Sequence, residues 1–128
     1  MKSQLRNITV DGDAFVYWYS GGSRFILNLS PKENKNIKIT LIFQADPPEE
    51  EPRTFWSFYD ISAQNNETET VIHLGKPKHI AEIISYLMAK RQELWIQGKP
   101  QVLDNAWDLL KEMGYSELNP IWIRQWLS

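Results

Sequence analysis

The chain has 128 residues, a length that suits one domain and allows a hydrophobic core without covalent staples. Hydrophobic residues make up 42% and charged residues 23%, an ordinary globular balance that excludes disorder over most of the length. A net charge of −2 argues against a general nucleic-acid binder, and the lack of cysteine excludes disulfides and thiolate metal sites.

The first 45 residues read as an antiparallel meander. Gln4 to Val10 is β-prone and runs into Asp11-Gly12, a strong hairpin dipeptide. In Ala14 to Ser20, Phe15, Tyr17 and Tyr19 share one face while Val16 and Trp18 share the other. Gly21-Gly22 is the next turn, and Arg24 to Ser30 alternates with Phe25, Leu27 and Leu29 on one side. After the polar break Pro31 to Asn36, the segment Ile37 to Ala45 alternates again. Asp46 to Pro52 is then a stiff acidic loop, because prolines cannot donate to a ladder and glutamates repel one another. Thr54 to Asp60, with Phe55, Trp56, Phe58 and Tyr59, reads as a fifth strand. Ser62 to Thr70 is polar and reads as a loop, followed by Val71 to Leu74, which fits a sixth, short strand or an extended lead-in.

Helical periodicity takes over after Gly75. Pro77 suits a first helical turn, and Ile80, Ile83, Ile84, Leu87, Leu94 and Trp95 form one apolar stripe that Gly98 stops. A second helix is expected from near Pro100, with Leu103, Ala106, Trp107, Leu110 and Met113 on one face and Gly114 at its end. Asn119-Pro120 resembles a cap and first-turn proline, which predicts a short terminal helix over Pro120 to Leu127.

These elements predict a single α+β domain spanning 1–128, β-rich over 1–75 and helical over 76–128. The expected architecture is an antiparallel sheet of about five to six strands, covered on one face by two helices plus the terminal one. The start, Met1 to Arg6, leads into a strand pattern rather than an apolar leader, and the apolar runs fall far short of the ~20 residues that span a bilayer. The expectation is therefore a cytoplasmic protein with no membrane contact.

Chemical motifs are sparse. His73 and His79 stand six residues apart with Glu82 as the nearest carboxylate, short of the three or four ligands a metal site needs. Asp11 and Asp13 flank Gly12 as a turn, without the further oxygen ligands of a calcium loop. Gly21-Gly22-Ser23 lacks the Lys-Ser or Lys-Thr of a phosphate loop, and no nucleophile elbow is present. No cofactor is expected, and the pattern argues against an enzyme, although a dispersed acid–base pair of carboxylates leaves no motif.

Protein binding has the broadest support. Trp18, Tyr17, Tyr19, Trp56, Trp122 and Trp126 are candidate anchors, since large aromatics dominate interface energetics. Glu49, Glu50 and Glu51 are a candidate steering patch for a basic partner. Strand Ala14 to Ser20 is aromatic on both faces, and a two-layer domain covers only one, so a second layer, a homodimer mate or another protein must cover the rest. Small acidic, cysteine-free, aromatic-rich α+β chains are common among bacterial immunity, antitoxin and counter-defence inhibitors. The expected partner is accordingly another protein or a second copy. One alternative is a single-stranded nucleic-acid or small-ligand binder using Tyr17, Trp18, Tyr19 and Phe25, but the basic framing of Arg6, Arg24, Lys32, Lys35 and Lys38 is thin. The other is a small enzyme with a dispersed site.

Overall fold

Strict alternation builds the first four strands. β1 (Arg6–Val10), β2 (Asp13–Ser20), β3 (Arg24–Pro31) and β4 (Ile39–Gln44) pair in succession, each antiparallel to the last. The computed structural model describes residues 5–21, 24–46 and 54–124. Asp11 and Gly12, with φ of 51° and 86°, form the two-residue turn between β1 and β2 that right-twisted hairpins favour. The chain continues through β5 (Thr54–Asn65), β6 (Thr68–His73), α1 (Pro77–Lys90), β7 (Gln101–Leu103), α2 (Trp107–Glu112) and β8 (Tyr115–Arg124).

The architecture is mixed α+β, with eight strands in two sheets and two helices. The five-stranded sheet has the order β1-β2-β3-β4-β7, and β7 joins β4 in parallel. The three-stranded sheet has the order β6-β5-β8, all antiparallel. The inner face of the larger sheet carries Phe25, Leu27, Leu29, Ile39, Leu41 and Phe43, each fully buried. Ile61, Ala63 and Ile72 of the smaller sheet join the same core. α1 adds Ile80, Ile83, Ile84 and Leu87, which recur at helical spacing along one stripe. Leu109 and Leu110 of α2 complete it.

Four sequence expectations need correction. A single sheet was expected, yet the polar stretch Ser62 to Thr70 belongs to the β5–β6 hairpin of a second one. Its polar side chains are the solvent half of an alternation whose inner half is Ile61, Ala63 and Ile72. Asn66 and Glu67, at φ 53° and 65°, make its turn. The first helix stops at Lys90, not at Gly98: a single 3-10 turn carries Leu94 into the core, and the Trp95 indole N–H donates to the Leu87 carbonyl at 3.2 Å. The second helix is shorter than expected, because Gln101 to Leu103 pair as a strand with Ile39 to Leu41. The terminal helix is absent over the described part of its span, where Pro120 to Arg124 continue strand β8. The helix-start reading of Asn119-Pro120 fails because β8 is an edge strand, where proline forfeits no ladder bond the sheet needs. Residues 125–127 of that expected helix lie outside the described residues.

Side-chain hydrogen bonds tie the layers together. The Trp107 indole N–H donates to the Gln44 carbonyl at 2.9 Å, fixing α2 to the end of β4. The Tyr115 hydroxyl donates to Glu82 at 2.5 Å, linking β8 to α1. Burial and that neighbouring carboxylate push the Tyr115 phenol up to about 12.

Two truncations should separate core from surface in this layout. Leu27→Ala, at a fully buried position, should lower unfolding free energy by about 3–5 kcal/mol in urea titration. Ile96→Ala should change it by about 0.5 kcal/mol or less, because Ile96 lies beyond the helical stripe and is 45% exposed.

Candidate functional site

Two places on the molecule combine unsatisfied surface with defined geometry. The first is a recess of about 440 Å³ at one end of the two sheets, lined by Tyr19, Phe58, Tyr59, Asp60, His73, Gly75 and Lys76. The second is the outer face of the five-stranded sheet.

The recess exists because β5 breaks its alternation. Phe58 and Tyr59 both adopt left-handed backbone, at φ 49° and 60°, and the register with β8 shifts between Trp56 and Ile61. Such a conformation is rare for bulky side chains and costs roughly 1–3 kcal/mol per residue. Its effect is to turn Tyr59 inward, 4.9 Å from the Phe25 ring centre and 5.3 Å from that of Trp56. Phe58 is turned outward and is 80% exposed. The Trp56 indole N–H donates to the Asp60 carbonyl at 2.7 Å, bridging the bulge from one side to the other.

Tyr19 forms the other aromatic wall, 5.1 Å from Phe25, with the Arg6 guanidinium 5.6 Å from its ring centre. The polar corner is Asp60 and His73, paired across the β5–β6 ladder with Nδ1 2.7 Å from Oδ1. A carboxylate accepting from Nδ1 fixes the ring's orientation and leaves Nε2 as its other polar atom. His79 stands edge-on to His73, with ring centres 5.7 Å apart. Burial holds the His79 imidazole below its ordinary value of 6.5, with Glu82 opposing that shift and His73 adding to it.

The outer face of the larger sheet is of a different kind. Lateral pairing places Trp18, Asn28, Thr40 and Val102 in one row, and Ile26 beside Ile42 in the next. Val16 lies beyond Trp18 on the same side of β2. Val16 is itself buried, at 8% exposed, while none of Trp18, Ile26 and Ile42 belongs to the core cluster or packs against it. The Thr40 hydroxyl donates to Asn28 Oδ1 at 2.7 Å in the centre of this face, and the Lys38 ammonium lies 5.6 Å from the Trp18 ring centre.

The residues named from sequence therefore scatter. Trp18 is half-buried on the outer face, and Tyr19 lines the recess. Tyr17, 2% exposed, is a core residue, and Trp56, 7% exposed, lies under the bulge. Trp122 sits on strand β8 and borders a groove of about 360 Å³ with Trp107, Leu118 and Pro120. Trp126, Glu49, Glu50 and Glu51 lie outside the described residues. Of the four rings considered for base stacking, Tyr17 and Phe25 are buried and Trp18 faces away from Tyr19. Sequence reasoning missed Phe58 and the Asp60–His73 pair as site residues. A signal was present: Phe55, Trp56, Phe58 and Tyr59 cannot satisfy one alternating pattern with one covered face.

Among the described residues, no group of three or more His, Asp or Glu is placed to hold a metal ion, and no helix is long and apolar enough to cross a membrane. Compared with models of protein families, with curated proteins and with solved structures, the chain matches none.

Two measurements test the geometry of the recess. The Tyr59 hydroxyl packs so closely on the Gly21 backbone that a Cβ there would overlap it. Gly21→Ala should cost about 1–3 kcal/mol of stability and change the near-ultraviolet circular dichroism as Tyr59 is displaced. The second test is pH. Since His79 is depressed in the folded state, its contribution to stability is complete above pH 6.5 and is lost as pH falls through the lower folded value. Melting temperature should therefore fall from pH 7 toward about pH 5, and His79→Gln should flatten part of that slope.

Proposed function

We propose that the protein is a binding domain that acts in the cytoplasm by occupying another protein's surface, with the outer face of the five-stranded sheet as its contact surface. One observation carries the reading: Trp18, Ile26, Ile42 and Val102 lie together on one sheet face, and none of them belongs to the core cluster. A two-layer domain gains nothing from apolar residues there unless something covers them. Val102 is 50% exposed and Trp18 is half-buried, so the row is reachable.

The face has the composition of an interface. A tryptophan supplies the anchor, branched aliphatic side chains surround it, and the Asn28–Thr40 hydrogen bond satisfies the polar atoms between them. Lys38 over the indole restricts the ring before any partner arrives, which lowers the ordering cost of binding. Work by surface occupation requires no catalytic constellation. It also fits inhibitors of the immunity, antitoxin or counter-defence type and self-association equally. Glu49, Glu50 and Glu51 remain part of the proposal as a steering patch, acting on encounter rate rather than on the anchored contact.

Trp18→Ser decides the matter when read by two techniques together. The melting temperature should change by no more than about 2–4 °C, because the side chain lies outside the core. Photo-crosslinking from position 18 in producing cells should yield one discrete adduct, which Ile42→Asp removes. A loss of more than about 3 kcal/mol on Trp18→Ser, with no adduct from position 18, would make Trp18 a structural residue and end the reading.

A further inference from the structure

We propose that the recess between the sheet ends is a binding site for a small planar ring bearing an anionic group. The site is independent of the outer-face reading: it is built from inner-face and bulge residues, and neither proposal needs the other.

Size and chemistry both point this way. About 440 Å³ lies within the range of ligand pockets, which are mainly apolar with a few convergent polar groups. The ring surfaces are Tyr19, Tyr59 and the outward-turned Phe58, and aromatic walls favour a flat ligand. Phe25 lies beneath both tyrosines, at 5.1 and 4.9 Å between ring centres, and holds them in place. One cation, Lys76, is among the described lining residues and is not ion-paired to a described residue, while Arg6 lies against the Tyr19 ring. Asp60 is the one carboxylate among the described lining residues, and it is occupied by His73 at 2.7 Å. An anionic substituent meets Lys76, while the Asp60–His73 pair offers hydrogen bonds to a polar edge of the ring.

The strained backbone belongs to the same design. Holding Phe58 at φ 49° with its ring in water gives up both conformational energy and apolar burial. A ring stacked against Phe58 recovers the burial. Strain of this kind persists where surrounding structure enforces it, and here Tyr59 on Phe25 and Trp56 on the Asp60 carbonyl do so.

Amide chemical-shift mapping of the full chain tests the site with five probes: indoleacetate, adenosine monophosphate, their neutral counterparts indoleacetamide and adenosine, and inorganic phosphate. At least one charged aromatic probe should give saturable shifts at Tyr19, Phe58, Tyr59 and Gly75. It should bind about tenfold or more tighter than its neutral counterpart. Preference between the two charged probes distinguishes a carboxylate ligand from a phosphate one. Lys76→Gln should bring the charged probe down to the neutral one's affinity. Phe58→Gly should weaken both while leaving melting unchanged or raised, since glycine accepts the left-handed backbone. Equal binding of charged and neutral probes would overturn the proposal. So would phosphate alone reproducing the shifts, or the absence of saturable shifts in the recess.

Discussion

The placement of Tyr59 against Phe25 is the constraint on which the rest of the molecule turns. Phe25 sits at the end of the larger sheet's inner face, with Tyr19, Phe43 and Tyr59 around it at 5.1, 6.2 and 4.9 Å between ring centres. Tyr59 comes from the smaller sheet, so this contact closes the two sheets at one end. Trp56 must also be buried, where it stacks on Trp107 with ring centres 5.8 Å apart. Positions 56 and 59 differ by three, and a regular strand would send them to opposite faces. Two consecutive left-handed residues resolve the conflict, and Phe58 is displaced into solvent as the result. The recess, its exposed ring and the Asp60–His73 corner all descend from that one compromise.

The chain thus offers two surfaces built by opposite means. The outer sheet face is regular: its apolar residues are the leftover half of a strict alternation, paired in unbroken register. The recess is irregular, and its chemistry comes from a break in the ladder. A regular sheet face suits a large partner with matching shape, whereas a confined concavity suits a small one. The charges differ too: Lys38 lies over the Trp18 ring, while Lys76 lines the recess and Arg6 lies over the Tyr19 ring.

How much of this was legible depended on range. The first four strands, the Asp11-Gly12 turn and the helix start at Pro77 rest on local signals, and the structure shows all three. Alternation told that Tyr17 and Trp18 take opposite faces, but not which face would be covered, so Tyr17 was named as an anchor and lies in the core. In the smaller sheet the start of β5 is legible at Thr54 to Asp60, but Ser62 to Thr70 is polar enough to mimic a loop and hides the hairpin. Ile121, Trp122 and Ile123 form a run that periodicity alone cannot assign, and a proline beside them tipped the reading toward a helix start. The partner of His73, Asp60, is not visible from sequence, because it lies 13 residues back and meets the ring only through hairpin register. The recess needed knowledge of three non-local pairings at once.

The parallel strand β7 has a consequence for how the molecule is made. β4 ends at Gln44, and the strand that shields its open edge begins only at Gln101. Between them the chain traverses the whole β5–β6 hairpin and α1. During synthesis the β1–β4 meander emerges first and has local contacts enough to collapse, while the edge bearing Ile39, Leu41 and Phe43 stays unpaired until the later segment arrives. For that interval the nascent chain presents a β-prone, apolar template to its neighbours. Gln101 to Leu103 contribute little buried area, and their place in the fold is to cap the β4 edge.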